Sequence, residues 1–180
     1  MNDKLEIGPS AEWGRLGSDW DTMDNERFEY VDIVHDIQNI PTPIKDGRYK
    51  LVYMSNVIEH IHWQKTAEVL KELFRILEDG GTLEMWTPDF NKIVAATINF
   101  NAVPQRERTT SQFEWVNQKI FTYRHDPGKG GQLHESIFNP EWLGGFMVQV
   151  GFKDVAPIET PRGPFPWYHG WCQFGLKGNK

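Results

Sequence analysis

The residues able to do chemistry in this chain stand just after short apolar runs. Residues 5–7 end at Gly8-Pro9-Ser10, KLVYMS at 50–55 runs into Asn56, and TLEMWTP at 82–88 runs into Asp89. A glycine after a strand lets something come close to the main chain. Carboxylates able to accept hydrogen bonds lie between these runs: Asp19 and Asp21 near residues 17–20, and Asp36, followed by the aliphatic Ile37. Two histidines are candidates for proton transfer. His60 sits beside Glu59 soon after the 50–55 run, and His134 lies in a less regular stretch before the last helical pattern. His134 is the better candidate for a substrate-side base; a plain surface histidine is the alternative. His60 and His62 are two residues apart, and no carboxylate–histidine spacing matches a metal site, so no metal is expected. Nucleophile elbows, Walker loops and G-x-G-x-x-G turns do not occur.

These residues need elements to hold them. Residues 66–81 carry Leu70, Leu73, Phe74 and Leu77 at i, i+3, i+4, i+7 and predict a helix, capped by Thr66 and stopped by Gly80-Gly81. Apolar runs at 50–55 and 82–88 predict strands on either side, hence a parallel pair joined by a right-handed crossover. Short strands are expected at 5–7, 17–20 and 30–34. A helix is expected over 111–121. A last one follows Asn139-Pro140, with Leu143, Phe146, Met147 and Val150 on its stripe and Gly151 at its end. FKDVAPI and WCQFGLKG predict two closing strands around the proline-aromatic loop at 161–170. This is an α/β pattern with a doubly wound, mostly parallel sheet, and ligands of such sheets bind at the carboxyl ends of strands.

Composition narrows the function. The length of 180 residues fits one domain with a real core. A net charge of −6 argues against nucleic-acid or anionic-membrane binding. No run is long enough to span a membrane and no signal-peptide pattern opens the chain, so a cytoplasmic protein is expected. Cys172, the single cysteine, excludes an internal disulfide and suits a reducing compartment. Eight Trp and eleven Phe are many for this length, so some aromatics should line a pocket.

KLEIGPS, GSDWD, VDIVHDI, LVYMSNVIEHI and LKELFRILEDGGTLEMWTPD occur in the order and approximate spacing of class I S-adenosylmethionine-dependent methyltransferases. SNVIEHI and FRILEDGG resemble the most specific motifs of the small type 11-like branch of that family. The resemblance covers residues 4–90 well and extends weakly to LHESIFNPEWLGGFMVQVGFKDV. It implies a Rossmann-like methyltransferase fold and S-adenosylmethionine as cofactor, with S-adenosylhomocysteine as by-product. It implies that Gly8, Pro9 and Ser10 hold the methionine end, that Asp19 (Asp21 competing) takes the ribose hydroxyls, and that Asp36 and Ile37 meet the adenine; Asn56, after the 50–55 strand, is a further cofactor-binding candidate. In relatives the Glu-His pair is often structural, so His60 is expected to be architectural before catalytic. Tyr123, Trp167, Tyr168 and His169 are expected to form the substrate wall.

Two departures from the family pattern matter. Pro9-Ser10 replaces a second glycine, and Pro9 lacks an N–H. Only residues 9–17 separate the first two strands, where a full crossover with its helix needs at least about 10–12 residues. The first crossover helix is therefore expected to be reduced, with one sheet face patched by Trp13 and Leu16 or by a second subunit; a homodimer is predicted. The expected organisation is a single domain over 1–180: a cofactor half over 4–90, a lid or substrate insertion over 91–135, and a closing helix and strands over 136–180. The expected function is methyl transfer to a small-molecule acceptor. The alternatives are a non-catalytic nucleotide- or partner-binding module on this fold and a nucleotide-sugar-binding domain.

Overall fold

The structure, a computed structural model, describes residues 2–9, 14–108, 110–121, 133–163 and 170–180. Ser10, Trp13, Tyr123, Trp167, Tyr168 and His169 lie outside the described residues. One seven-stranded sheet organises the chain: β1 (Lys4–Ile7), β2 (Asp21–Asp24), β3 (Ile33–Val34), β4 (Tyr49–Ser55), β5 (Leu77–Pro88), β6 (Lys153–Ile158) and β7 (Gln173–Asn179). Their order across the sheet is 3-2-1-4-5-7-6. β1 to β5 run parallel, and β7 runs antiparallel between β5 and β6. The strand order reverses between β1 and β4, which makes their carboxyl ends the switch-point crevice.

Among the described residues four α-helices accompany the sheet: α1 (Thr66–Ile76), α2 (Phe90–Ile98), α3 (Gln112–Ile120) and α4 (Pro140–Val150). α1 ends five residues before the expected stop. Leu77 leaves the helix to pair with Tyr49 on β4, and Gly80, at φ 81°, turns the chain before regular pairing resumes at Thr82. The buried stripe of α1 is therefore Val69, Leu70, Leu73 and Ile76, each worth about 1.5–3 kcal/mol of burial. Its one buried acid, Glu72, sits under Thr42 and Arg75. Burial alone would raise this carboxyl, but the Arg75 and Thr42 bonds outweigh it and hold it at about 2. α4 starts and stops as its sequence predicts. Asn139 caps the Trp142 N–H at 2.8 Å, Pro140 opens the first turn, and Gly151 closes the helix at φ 122°.

The two faces of the sheet are covered unequally. Leu5, Ile7, Met23, Val52, Met54, Leu83 and Met85 join the α1 and α4 stripes in the main core. The opposite face has a small aromatic cluster of Trp20, Tyr53 and Trp86, flanked by Leu16, Leu51 and Ile158. Charged residues share that face: Arg162 pairs with Glu84, and Lys4 with Asp19. No helix lies between β1 and β2 among the described residues, as the short spacing predicts. A separate core of Ile93, Ala96, Val103, Trp115, Val116 and Cys172 knits α2 and α3 to the segment before β7. Among the described residues no helix is long and apolar enough to cross a membrane.

Candidate functional site

The carboxyl edge of the parallel strands gathers Gly8, Asp24, Asp36, Asn56 and Asp89. Gly8 takes φ +70°, and its N–H donates to the Met23 carbonyl at 2.9 Å. The neighbour that requires a glycine is Val57: a Cβ at Gly8 would lie 2.4 Å from Val57 Cγ2. The space a Gly8 side chain would need is thus filled by the protein itself, not kept for a ligand. Gly8→Ala is expected to destabilise the chain by about 2–5 kcal/mol, combining a left-handed backbone cost with overpacking. Urea unfolding checks this, and Val57→Ala in the same chain should recover the steric part alone. An unchanged midpoint for the single variant would contradict the close approach.

The acid at this edge on β2 is Asp24. β2 begins at Asp21, not within residues 17–20, so Asp19 lies at the opposite end of the strand, exposed and paired with Lys4. Asp24 closes β2. Its Oδ1 accepts from the Glu26 N–H at 2.8 Å, its carbonyl accepts from the His35 N–H, and burial raises its pKa. Asp21 instead accepts from Arg48 and the Tyr49 hydroxyl at 3.0 Å each. Asp36 follows β3 in a local turn, accepting the Gln38 N–H at 2.9 Å. Ile37 is buried in the main core and does not face this edge as a free packing surface. Pro9 is buried beside Gly8.

Asn56 ends β4 in the left-handed region at φ 55°. Gln173 at the start of the antiparallel β7 donates from Nε2 to Asn56 Oδ1 at 2.6 Å, tying the two strand ends together. Gln173 Oε1 and the Tyr30 hydroxyl are both buried without a hydrogen-bond partner. Burial, then Asp24 and Glu6, raise the Tyr30 pKa, so that hydroxyl lies near both acids. Tyr30 thus stands near Asp24 and Glu6, while Gln173 is tied to the β4 end.

Glu6 on β1 is a second acid that the sequence reading did not single out. Its Oε2 accepts the Leu16 N–H at 2.7 Å. Burial raises the carboxyl from 4.5 to about 7, against the Leu16 bond and Arg15. Between those two pH values the folded chain keeps a proton that the unfolded chain has released. The contribution therefore favours folding fully below pH 4.5 and is lost as pH rises through 7, amounting to about 3 kcal/mol. Glu6→Gln should melt above the parent chain at pH 8 and level with it at pH 4.5. Equal melting temperatures at pH 8 would contradict the buried carboxyl.

His60 and His134 meet beyond the β4 and β5 ends. A 3-10 turn, Ile58–His60, follows β4, and the Glu59 carbonyl accepts the Glu135 and Ser136 N–H groups at 2.8 and 3.0 Å. Those two bonds strap residues 134–136 onto the turn, and the two imidazoles stand edge to face with ring centres 5.0 Å apart. Burial, then the neighbouring His60, push His134 down to about 4; burial also lowers His60. Glu59 is 2% exposed, accepts from Thr87 Oγ1 at 3.1 Å, and is raised by burial to about 8. His134 lines a groove of about 250 Å³ with Trp63, Ile120, Phe121, Ile137 and Trp142. The aromatic wall is thus built in part by residues that the sequence reading did not choose. Trp63, 52% exposed directly after the EHI turn, was the available signal.

Residues 19–85 match the model of a methyltransferase domain family. No curated protein matches the chain at a significant level. Among solved structures, an S-adenosylmethionine-dependent methyltransferase of Archaeoglobus fulgidus aligns with a TM-score of 0.60 and 13% identity, over 99% of this chain and 86% of that one. A possible histamine N-methyltransferase of Thermotoga maritima aligns at 0.57 and 17%, over 100% and 83%. The 1,6-didemethyltoxoflavin-N1-methyltransferase of Burkholderia thailandensis, solved with that compound and S-adenosylhomocysteine, aligns at 0.56 and 10%, over 99% and 71%. At these identities the likeness is one of fold.

Proposed function

We propose that the chain is a class I S-adenosylmethionine-dependent methyltransferase, a reading supported by the match of residues 19–85 to a methyltransferase domain family and by the sheet order, and that it methylates a small-molecule acceptor seated in the groove between Trp63 and Trp142. The observation that carries this reading is the placement of Asp24 beside the β1/β4 switch point, with a histidine-lined groove beyond the ends of β4 and β5. The cofactor, when bound, supplies a methyl group already activated on sulfur. The chain's own part is to bind, orient and exclude water. Asp24 accepts the ribose hydroxyls, Asp36 bounds the adenine side beyond it, and Asn56, held by Gln173, lies on the other side of β1. Gly8 and Pro9 shape the methionine end. His134 faces the acceptor; with its ring held neutral, it can take a proton from an acceptor hydroxyl or amine.

Residues 4–90 act as the cofactor half, and the small core under α2 and α3 supports residues 91–135 as the lid. The buried thiol of Cys172 suits a reducing cytoplasm. The thinly covered sheet face supports a homodimer, for which light scattering should return twice 21.0 kDa. Calorimetry of the full chain with S-adenosylhomocysteine tests the cofactor reading. One site per chain supports it; absence of heat with both this compound and S-adenosylmethionine supports a non-catalytic module instead.

A further inference from the structure

The histidine pair has a third member. Glu59, His60 and His134 each place one ligand-type atom within 4.8 Å of the other two. His60 Nδ1 lies 3.1 Å from the Leu133 carbonyl, and His134 Nδ1 lies 3.1 Å from the Lys119 carbonyl. A carbonyl only accepts, so both Nδ1 atoms carry the proton and both rings keep their lone pair on Nε2. An imidazole anchored through Nδ1–H to a main-chain carbonyl is the form in which metal-binding histidines are held. Glu59 supplies the carboxyl oxygen, giving up its proton as the cation binds. It is almost fully buried, and no basic side chain is ion-paired with it among the described residues. His62 differs: its Nδ1 accepts the Gln64 N–H at 3.3 Å and it stands outside the cluster.

We propose that Glu59, His60 and His134 form a binding site for one divalent cation of the zinc class. Two imidazole nitrogens and one carboxylate oxygen are a donor set that zinc accepts in sites with three protein ligands and one open position. Bonds of about 2.0–2.2 Å in a tetrahedral site need donor atoms about 3.3–3.5 Å apart, so the three side chains close slightly around the ion. His134 also lines the groove, so an ion held by it would stand beside the acceptor side. An acceptor hydroxyl bound there would lose its proton more easily because the cation stabilises the anion, and His134 would serve as ligand, not base. That last role rests on the methyltransferase reading; the binding of the cation does not.

The test uses the full chain, freed of metal with a chelator and titrated with Zn²⁺, then separately with Co²⁺ as a spectroscopic probe. One Zn²⁺ per chain, a raised melting temperature and visible Co²⁺ ligand-field bands are expected. His60→Ala and His134→Gln should each weaken Zn²⁺ binding at least about 100-fold, while His62→Ala should bind as the parent does. Circular dichroism confirms that each variant is folded, and Glu59→Gln, the nearly isosteric change, serves if a histidine variant is not. Sub-stoichiometric binding, or equal affinity in the parent and in the folded ligand variants, would overturn the proposal. S-adenosylhomocysteine is titrated into zinc-loaded and stripped chain alike, so that loss of the cofactor reading is read separately from loss of the metal.

Discussion

Replacing His134 by Gln is expected to lower kcat for methyl transfer by about 10²–10⁴-fold, with the Kd for S-adenosylhomocysteine changed less than about twofold. Among the described residues His134 is the one histidine that lines the acceptor groove, and its ring is fixed by the Lys119 carbonyl on one side and the His60 edge on the other. Gln keeps a hydrogen-bonding head of similar reach but offers no imidazole lone pair. The loss is therefore expected in turnover, whether that lone pair takes a proton or binds a cation. The cofactor edge stays intact because Asp24, Gly8 and Asn56 sit on other strand ends. Transfer of labelled methyl from S-adenosylmethionine to a hydroxyl or amine acceptor that the parent chain accepts measures the first quantity, and calorimetry the second. Parental kcat in a folded variant would remove His134 from the reaction.

Asp24→Asn is expected to weaken S-adenosylhomocysteine binding by about 10- to 100-fold, because hydrogen bonds to a charged group are worth about 1.5–3 kcal/mol. The matched control is Asp19→Asn. Asp19 is exposed, pairs with Lys4 and stands at the amino end of β2, so this variant should bind as the parent does. A drop for Asp19→Asn with none for Asp24→Asn would reverse the assignment and place the ligand at the other sheet edge.

The contrast between these two aspartates shows what the sequence could and could not reveal. β4 follows from its apolar run, α1 from its helical stripe and α4 from its stripe and Asn-Pro start, because these signals are local; the cap expected of Thr66 is absent, since α1 begins at that residue and its buried hydroxyl makes no hydrogen bond. β2 was misplaced because residues 17–20 hold one apolar residue, Trp20, while the buried pair of the strand is Thr22 and Met23. Thr22 is buried only because Asp32 and the Tyr30 carbonyl satisfy its hydroxyl, a partnership that residue type does not announce. The sequence predicts no element over 90–98, although Asp89 caps α2 by accepting the Asn91 N–H at 3.0 Å; its β-branched and small residues carry a weak helical signal. The absence of a metal spacing was read from neighbours in sequence. His60 and His134 meet through two main-chain bonds to the Glu59 carbonyl, and such bonds leave no mark on residue identity. The paucity of residues between β1 and β2, by contrast, predicts that no full crossover helix fits there, and none occurs among the described residues, since chain length alone sets what can fit.

A crystal structure grown with S-adenosylhomocysteine tests the central claim most directly. The account predicts the ribose hydroxyls within hydrogen-bonding distance of the Asp24 carboxylate, beside the β1 and β4 ends. Ribose density away from Asp24, or a crevice still closed by the chain with no ligand in it, would contradict it.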